Sequence, residues 1–184
     1  PYLTNGNALI GRLRMSLKDR NIPLWLNSPA TELITENGRI VGAVIEHQGK
    51  SLRIEGRRGV LMASGGFERN LEMRQEYGPA PASTSWTAGN ETNTGDGILM
   101  GIDAGGATAL MDEAWWTPVT QYPKTESGWV LVVEKSLPGG IFINQNGERF
   151  TNEAGPYVDV AVAQYQDQAK TGKSVPGWMV FDAT

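Results

Sequence analysis

Gly59-Val60-Leu61-Met62-Ala63-Ser64-Gly65-Gly66-Phe67 is the stretch that decides the fold, because an apolar run ends there in two small residues and two glycines. The pattern predicts a buried β-strand over 59–62. Where no Cβ stands in the way, another molecule can approach the backbone closely, and ligands of α/β sheets bind at the carboxyl ends of strands. The run therefore indicates an α/β protein, and its end fits either a ligand-binding position or a simple tight turn.

The residues before this stretch predict an amphipathic helix followed by a β-meander. Apolar side chains recur at helical spacing over residues 7–20, at Leu9, Ile10, Leu13 and Leu17. Short β-prone runs follow, and each predicts a strand: 24–26, 31–35, 40–47 and 51–54. Breaks that contain Gly38 and Gly49 separate the last three runs and predict tight hairpin turns.

The residues after the stretch predict two short helices joined by a long polar loop. Helices are expected over 70–77 and 98–104, and the residues between them, 78–93, are rich in Pro, Ser, Thr, Gly and Asn. The second helix opens at Thr94-Gly95-Asp96-Gly97, where Thr94 is a candidate N-cap. The N–H groups at such a helix start can face a negative ligand, or the motif can simply begin the helix.

A change in composition near residue 113 predicts a boundary between two domains. A strand is expected just before it, over 107–112, and four aromatic residues follow around two prolines: Trp115, Trp116, Tyr122 and Trp129. Further along, Asn146-Gly147 predicts a β-hairpin, and the remaining elements follow in order: strands over 141–144 and 149–152, a helix over 157–170 and a strand over 178–181. Residues 1–112 are assigned to one domain and residues 113–184 to part of a second.

The composition restricts the chemistry that this chain can perform. The 184 residues include no cysteine and a single histidine, which removes disulfides, thiolate catalysis, iron–sulfur ligation and most metal sites. The net charge is −4 and the basic residues are dispersed, so neither a nucleic acid nor an acidic membrane is an expected partner. No apolar run reaches the roughly 18 residues of a membrane span, and no secretion leader is visible, so a cytoplasmic location is expected. A small molecule is the default partner.

Four motifs, taken in order, resemble those of one enzyme superfamily. They are the Gly38 hairpin, the Ala63-Ser64-Gly65-Gly66 strand end, the Thr94-Gly95-Asp96-Gly97 helix start and the segment 139–153. Together they resemble the flavoprotein subunits of fumarate reductase and succinate dehydrogenase, a superfamily that also contains the 3-ketosteroid dehydrogenases. The resemblance covers nearly the whole chain and implies an α/β fold. Part of a Rossmann-like FAD-binding domain with a β-meander would be followed by part of an α+β capping domain that closes over the flavin.

The resemblance also implies roles in FAD binding for three segments. Ala30-Thr31 resembles the residues whose backbone meets the adenine end of FAD. Ala63-Ser64-Gly65 resembles the strand end that passes the ribose and pyrophosphate. Thr94-Gly95-Asp96 resembles the helix start beside the isoalloxazine ring, where Asp96 could hydrogen-bond the flavin edge. The redox chemistry itself would be the flavin's own.

Two parts of the family's cofactor site have no counterpart in the sequence. The N-terminal G-x-G-x-x-G that cradles the pyrophosphate is missing, because Gly65-Gly66 and Gly105-Gly106 lack its spacing. The C-terminal glycine-rich segment is missing as well, and both chain ends are abrupt. We therefore expect an interior segment of a longer polypeptide, which binds FAD poorly and is inactive when isolated.

The residues around the last motif separate the branches of the superfamily. In the succinate and fumarate enzymes a histidine and arginines bind the dicarboxylate, and one arginine delivers the proton. Here Tyr157 stands in place of that arginine and Leu137 in place of a relay arginine, with Glu134 as the only remnant of the relay. A dianion would meet no cationic clamp. The segment 152–157 instead resembles the ketosteroid dehydrogenases, in which a tyrosine acts on the ring carbon next to the carbonyl.

The leading interpretation is a flavin-dependent dehydrogenase, or reductase in the opposite direction, that acts on a CH–CH bond next to a carbonyl in a small apolar, steroid-like ketone. Hydride would pass to flavin N5 while Tyr157 handles the proton, unless Tyr157 merely begins a helix. Trp115 and Trp116 would contact the flat substrate or belong to an ordinary core. The electron acceptor is not identified by the sequence. The alternatives are a fumarate-reductase-like flavoprotein and a non-catalytic FAD-binding fragment.

Overall fold

The computed structural model describes residues 2–121 and 128–182. The chain forms two compact units, residues 1–61 and 62–184, and each unit contains both helices and antiparallel strands. The domain boundary expected between residues 112 and 113 falls inside the second unit. It stays a prediction about the domains of the full-length protein.

The first unit consists of one helix and a three-stranded antiparallel meander. Helix α1 spans Asn5–Asp19, and the strands are β1 (Ala30–Glu36), β2 (Arg39–His47) and β3 (Lys50–Glu55), arranged in the order β1-β2-β3. The helix and these three strands were predicted. The strand predicted over 24–26 is wrong, because this short apolar run pairs with no strand of the described chain.

Two-residue turns set the register of the meander. Asn37 and Gly38 connect β1 to β2, Gln48 and Gly49 connect β2 to β3, and all four residues have positive φ. Positive φ at both central positions is the type I′ turn, whose twist matches that of antiparallel strands. The residues that flank each turn are therefore direct cross-strand partners, which confirms the two predicted hairpins.

The second unit carries short helices and two small antiparallel strand pairs. Its elements are α2 (Leu71–Tyr77), α3 (Asp96–Asp103), β4 (Val119–Thr120), β5 (Trp129–Val130), a 3₁₀ helix (Glu134–Ser136), β6 (Gly140–Ile143), α4 (Tyr157–Thr171) and β7 (Trp178–Phe181). Strand β4 pairs with β5, and β6 pairs with β7. The three helices and the last strand predicted for this region are confirmed, with α3 beginning two residues earlier than expected.

A small apolar core joins α4 to the β6–β7 pair. Leu131, Phe142 and Val160 are buried, and Phe150 and Met179 pack against them. Burying a side chain of this size contributes roughly 1.5–3 kcal/mol relative to leaving it in water. Because Val160 lies in the first turn of α4, this core anchors the start of that helix.

Two other predicted strands are not formed. Residues 59–62 and 107–112 belong to no strand of the described chain. A strand needs a hydrogen-bonded neighbour, and an apolar run in the sequence does not say where that neighbour is. The apolar side chains in these runs are largely exposed, Leu61 at 91% and Leu110 at 76%.

The turn of the hairpin predicted around Asn146-Gly147 forms, but the strand predicted over 149–152 is wrong. The N–H of Gly147 donates to the carbonyl of Asn144 at 3.0 Å. The side-chain oxygen of Asn144 accepts from the N–H groups of Asn146 and Glu148, both at 3.0 Å. Within the described chain, one isolated bridge follows the turn. Strand β6 pairs with the distant β7 instead, so the residues after the turn leave the sheet.

In the ranges 2–121 and 128–182, none of the helices combines the length and hydropathy needed to cross a membrane. The same residues contain no group of three histidine, aspartate or glutamate side chains placed to hold a metal ion.

Candidate functional site

The 59–67 stretch and the start of α3 lie against each other. The N–H of Gly95 donates to the carbonyl of Gly66 at 3.0 Å. Gly97 is buried in the first turn of α3, and a Cβ built on it would collide with the hydroxyl of Ser64. Residues 63–65 are exposed. Two of the three segments predicted to bind FAD are therefore neighbours, with residues 63–65 and Asp96 exposed and Gly95 buried between them.

The start of α3 presents backbone N–H groups that no side chain caps. Gly95 is the N-cap, with φ of 85° in the left-handed region, where a Cβ would be strained. The prediction that Thr94 is the N-cap is wrong, because Thr94 precedes that position and its hydroxyl donates to the carboxylate of Asp96 at 2.9 Å. The first N–H groups of a helix lack intrahelical acceptors and attract a negative group. This helix start is therefore free to receive an anionic or strongly polar ligand atom.

Three consecutive side chains after the stretch hold the 78–93 loop and α3 in place. Arg69 donates to two carbonyls of the loop, at 3.0 and 3.4 Å. Glu68 accepts a hydrogen bond of 2.6 Å from Asn93, the last residue of the loop. Asn70 caps α2 and also donates to the carbonyl of Thr94 at 3.0 Å. These residues fix the backbone next to the exposed residues 63–65 and next to the start of α3.

The third predicted FAD-binding segment, Ala30-Thr31, lies in the first unit at the start of β1. The pairing of β1 with β2 is irregular between Ala30 and Glu32. The hydroxyl of Thr31 donates to the carbonyl of Val44 at 3.4 Å. A bulge of this kind leaves backbone groups outside the ladder and available to a ligand.

The predicted proton-handling residue meets one of the two predicted substrate residues. The indole N–H of Trp115 donates to the phenol oxygen of Tyr157 at 2.5 Å, across 42 residues of sequence. Tyr157 is the first residue of α4 and is half-buried, whereas Trp115 is 81% exposed. Since an indole N–H can only donate, the phenol must accept this bond, and its own hydrogen points elsewhere. The oxygen of Tyr157 is therefore held in a defined orientation.

The second predicted substrate residue, Trp116, faces different neighbours. Its ring lies 5.7 Å from that of Tyr165 between centroids, and it lines an open groove of about 480 Å³ together with Tyr77 and Glu113. Trp129, from the same predicted aromatic cluster, is 56% exposed in β5. Tyr122 and Pro123, which the cluster also included, lie outside the described residues.

A buried ion pair closes the turn that precedes α4. Glu153 is 5% exposed, and its carboxylate accepts from the N–H of Phe142 at 2.7 Å and from Arg149 at 2.6 and 3.2 Å. Burial pushes the pKa of Glu153 upward, but the hydrogen bonds from Arg149 and Phe142 outweigh it, so the pKa lies below its usual value.

A family model for the FAD binding domain matches residues 1–184. The chain belongs to the FAD-binding domain family. A 3-oxosteroid 1-dehydrogenase of Mycobacterium tuberculosis (strain ATCC 25618 / H37Rv) is 41% identical over 186 residues, which cover 96% of this chain and 33% of the relative. The chain thus spans about a third of the length of the curated relatives it matches.

Two solved structures of related flavoenzymes share this fold. The 3-ketosteroid Δ1-dehydrogenase from Sterolibacterium denitrificans, in complex with 1,4-androstadiene-3,17-dione, superposes with a TM-score of 0.93 at 43% identity, covering 97% of this chain and 32% of that one. The open conformation of a flavocytochrome c3 fumarate reductase superposes with a TM-score of 0.62 at 27% identity, covering 89% and 29%. The expected α/β fold of an FAD-binding segment and the resemblance to this superfamily are both confirmed.

The residues of this FAD-binding domain fit the cofactor that its family binds. FAD carries a pyrophosphate and a polar isoalloxazine edge, and both need donors from a backbone that can be approached closely. The uncapped start of α3 supplies such donors, and residues 63–65 beside it are exposed. A Cβ at Gly97 would collide with the hydroxyl of Ser64, so a larger residue at this position would force that side chain to move.

The sequence pointed to the residues next to the ligand surface but missed those that support it. Asn70 is the first residue of the helix predicted over 70–77, and an asparagine at the start of a helix is an ordinary N-cap signal. The roles of Glu68 and Arg69 depend on contacts with a loop 15 to 25 residues away. The burial of Glu153 and of Lys135, at 2% exposure, carries no local signal.

Proposed function

We propose that the full-length protein is an FAD-dependent dehydrogenase that acts on the CH–CH bond next to the carbonyl of a 3-ketosteroid or a similar flat, apolar ketone. The observation that carries the proposal is the 2.5 Å hydrogen bond between Trp115 and Tyr157. It gives the tyrosine oxygen a fixed orientation at the start of α4, as a residue that exchanges a proton with substrate requires. The similarity to 3-ketosteroid dehydrogenases supports the same reaction class.

In its ionised form, Tyr157 takes the proton from the carbon next to the ketone and becomes the neutral phenol. Its oxygen keeps the bond from Trp115 in both protonation states, because the indole donates to a phenol and to a phenolate alike. That donor bond stabilises the negative charge on the oxygen more than the neutral form. When bound, FAD supplies the acceptor for the hydride that leaves the neighbouring carbon.

The cofactor is held, in this proposal, by three segments of the chain. Ala63-Ser64-Gly65 and Thr94-Gly95-Asp96 offer backbone to the ribose, pyrophosphate and flavin edge, and Ala30-Thr31 offers backbone to the adenine end. The support for the first two segments is that they are neighbours and that the helix start is uncapped. The support for Ala30-Thr31 is the bulge at the start of β1.

The substrate meets aromatic side chains rather than charges. Trp115 and Trp116 are assigned to its flat faces, since aromatic rings bury large apolar areas. The 81% exposure of Trp115 leaves its ring open to a ligand. The proposal includes a cytoplasmic location, which fractionation of cells would test. It leaves the electron acceptor to be found by assay with dyes and quinones.

A second candidate is a fumarate-reductase-like flavoprotein, and the similarity to a flavocytochrome c3 fumarate reductase favours it. Two features of this chain oppose it. Tyr157 occupies the place of the proton-delivering arginine. In addition, hydrogen bonds from the backbone at the start of the 3₁₀ helix, above all that of Glu134 itself, lower the pKa of the Glu134 carboxyl despite partial desolvation. A carboxyl that stays ionised is a poor proton carrier.

The test uses the full-length flavoprotein loaded with FAD and mixed anaerobically with a 3-ketosteroid, while the flavin absorbance is followed. We expect rapid flavin reduction by the wild type and a rate at least about 100-fold lower for Tyr157→Phe, because a general base contributes about 10²–10⁴-fold. The matched control is Tyr165→Phe, which removes a hydroxyl from the same helix, bonded to the carbonyl of Pro81 at 3.2 Å. Its flavin reduction should stay within about threefold of the wild type.

Two outcomes would overturn the proposal. One is turnover of fumarate with a reduced dye that is insensitive to Tyr157→Phe, which would favour the reductase. The other is stoichiometric FAD binding by the full-length protein without reduction by any cyclic ketone, which would favour a non-catalytic flavin-binding role.

A further inference from the structure

Lys135 is a buried cation that the reaction described above does not use. It lies in the 3₁₀ helix Glu134–Ser136 and is 2% exposed. Its ammonium donates to the carbonyls of Glu153 at 2.9 Å and Gly155 at 2.5 Å, and to the hydroxyl of Ser136 at 3.1 Å. An ammonium has three donors, so all of them are used.

The partners of Lys135 are two carbonyls and a hydroxyl, all of them uncharged. Taking an ammonium out of water is costly, and neutral acceptors return only part of that cost. A cation near the start of a helix also gains nothing from the helix dipole, which favours negative charge there. Stability therefore gives little reason for a lysine at this position, and an apolar side chain of similar volume would serve a core equally well.

The two carbonyls belong to the turn that leads directly into α4. Gly155 bonds back to Asn152 at 3.0 Å, Pro156 follows as the N-cap, and Tyr157 is the first helical residue. The hydroxyl of Ser136 adds a weaker contact to the carbonyl of Glu153 at 3.4 Å. The 3₁₀ helix thus holds the backbone just before Tyr157 mainly through the ammonium of Lys135.

We propose that Lys135 is a positioning residue for Tyr157: by tying down the carbonyls of Glu153 and Gly155, it fixes the phenol oxygen against Trp115 and the substrate. This inference rests on the proposed function of Tyr157. A positioning role gives a reason to bury this charge despite its cost, because a displacement of a reacting group by about 1 Å can lower a rate about 100-fold.

The test compares Lys135→Met with Tyr157→Phe and with the double variant, all in the full-length FAD-loaded protein. We expect Lys135→Met to lower the rate of ketosteroid-dependent flavin reduction about 10- to 100-fold, with KM within about threefold and FAD content unchanged. In the Tyr157→Phe background the same substitution should lower the residual rate by less than about twofold, because its only route to the reaction is through the tyrosine. Lys170→Met, an exposed lysine in α4, is the matched control and should leave the rate unchanged.

Several results would overturn the inference. Equal losses from Lys135→Met in both backgrounds would make Lys135 a structural residue only. An undiminished rate for Lys135→Met beside an inactive Tyr157→Phe would remove the role of Lys135 and leave the proposed function standing. If Tyr157→Phe is fully active, the proposed function itself fails.

A second variant covers the case in which Lys135→Met does not fold or loses FAD. Ser136→Ala removes one partner of the ammonium and the 3.4 Å contact to Glu153, and should lower the rate about threefold in the wild-type background. In the Tyr157→Phe background it should have no effect. Equal losses in the two backgrounds would again contradict positioning.

Discussion

Replacing Glu153 by glutamine should destabilise the full-length protein by about 2 kcal/mol, and the structure shows why. The carboxylate uses both oxygens: it accepts from the N–H of Phe142 and twice from Arg149. Glutamine keeps one acceptor oxygen, and its NH₂ group would face a donor of Arg149. One charge-assisted bond is therefore lost, which costs roughly 1.5–3 kcal/mol. Arg149 is half exposed and can turn to water, so the loss stays near the lower half of that range.

The alanine variant of Glu153 should cost more, about 4 kcal/mol, because the buried N–H of Phe142 also loses its acceptor. The assay is urea unfolding followed by tryptophan fluorescence, comparing midpoints at constant slope. Glu91→Gln, at an exposed carboxylate, is the matched control and should stay within about 0.5 kcal/mol of the wild type. If both Glu153 variants fall within that same range, the carboxylate does not hold the turn and the reasoning is wrong.

Three further results are expected. The pKa of Glu153 is lowered in the folded state, so the stability that its carboxylate contributes is complete above its unfolded pKa of about 4.3 and is lost as pH falls through the folded pKa. The difference in stability between wild type and Glu153→Gln should therefore narrow as pH falls below about 4.3, and a constant difference would contradict this. Gly97→Ala should weaken FAD binding about tenfold, or about 1.4 kcal/mol, because the added Cβ collides with the hydroxyl of Ser64. Gly101→Ala in the same helix meets open space and should leave FAD binding unchanged. Equal Kd values for the two variants, measured by flavin fluorescence, would refute the proposed FAD-binding role of the start of α3. Trp115→Phe should lower kcat about tenfold, because it removes the hydrogen-bond donor to Tyr157. Thermal stability should change little, because Trp115 is largely exposed. An unchanged kcat would show that this hydrogen bond is unimportant for the reaction.

Much of the local structure could be predicted because short segments of sequence encode it. Asn37-Gly38 and Gln48-Gly49 adopt the positive φ angles that a two-residue hairpin requires, and neighbouring residues alone decide that conformation. Helices α2 and α4 follow from periodic side chains and from signals at their ends. The proposed FAD-binding segments were also predicted, since the small residues at 63–65 and the helix start at 94–97 are patterns that can bring a backbone close to a ligand.

The predictions that were wrong concern contacts between residues that are far apart in the sequence. The 59–62 and 107–112 runs have the pattern of strands but pair with no strand of the described chain, and β6 pairs with β7 rather than across the Asn146-Gly147 turn. Thr94 has the chemistry of an N-cap, but Gly95, whose N–H donates to the carbonyl of Gly66, occupies that position. A hydrophobic pattern shows which face of a segment is apolar, but it does not show which other segment packs against that face.

The sequence by itself predicted a proton-handling role for Tyr157, substrate contacts for the tryptophans, and glycine and small residues beside a ligand. Only the tertiary structure decided that Trp115 donates to Tyr157 across 42 residues and that Lys135 is buried beneath the turn before it. The physical reason is the sequence distance between the residues that interact. Turns and helices are set by bonds between residues a few positions apart, whereas these contacts exist only after the apolar core around Val160 has brought distant segments together.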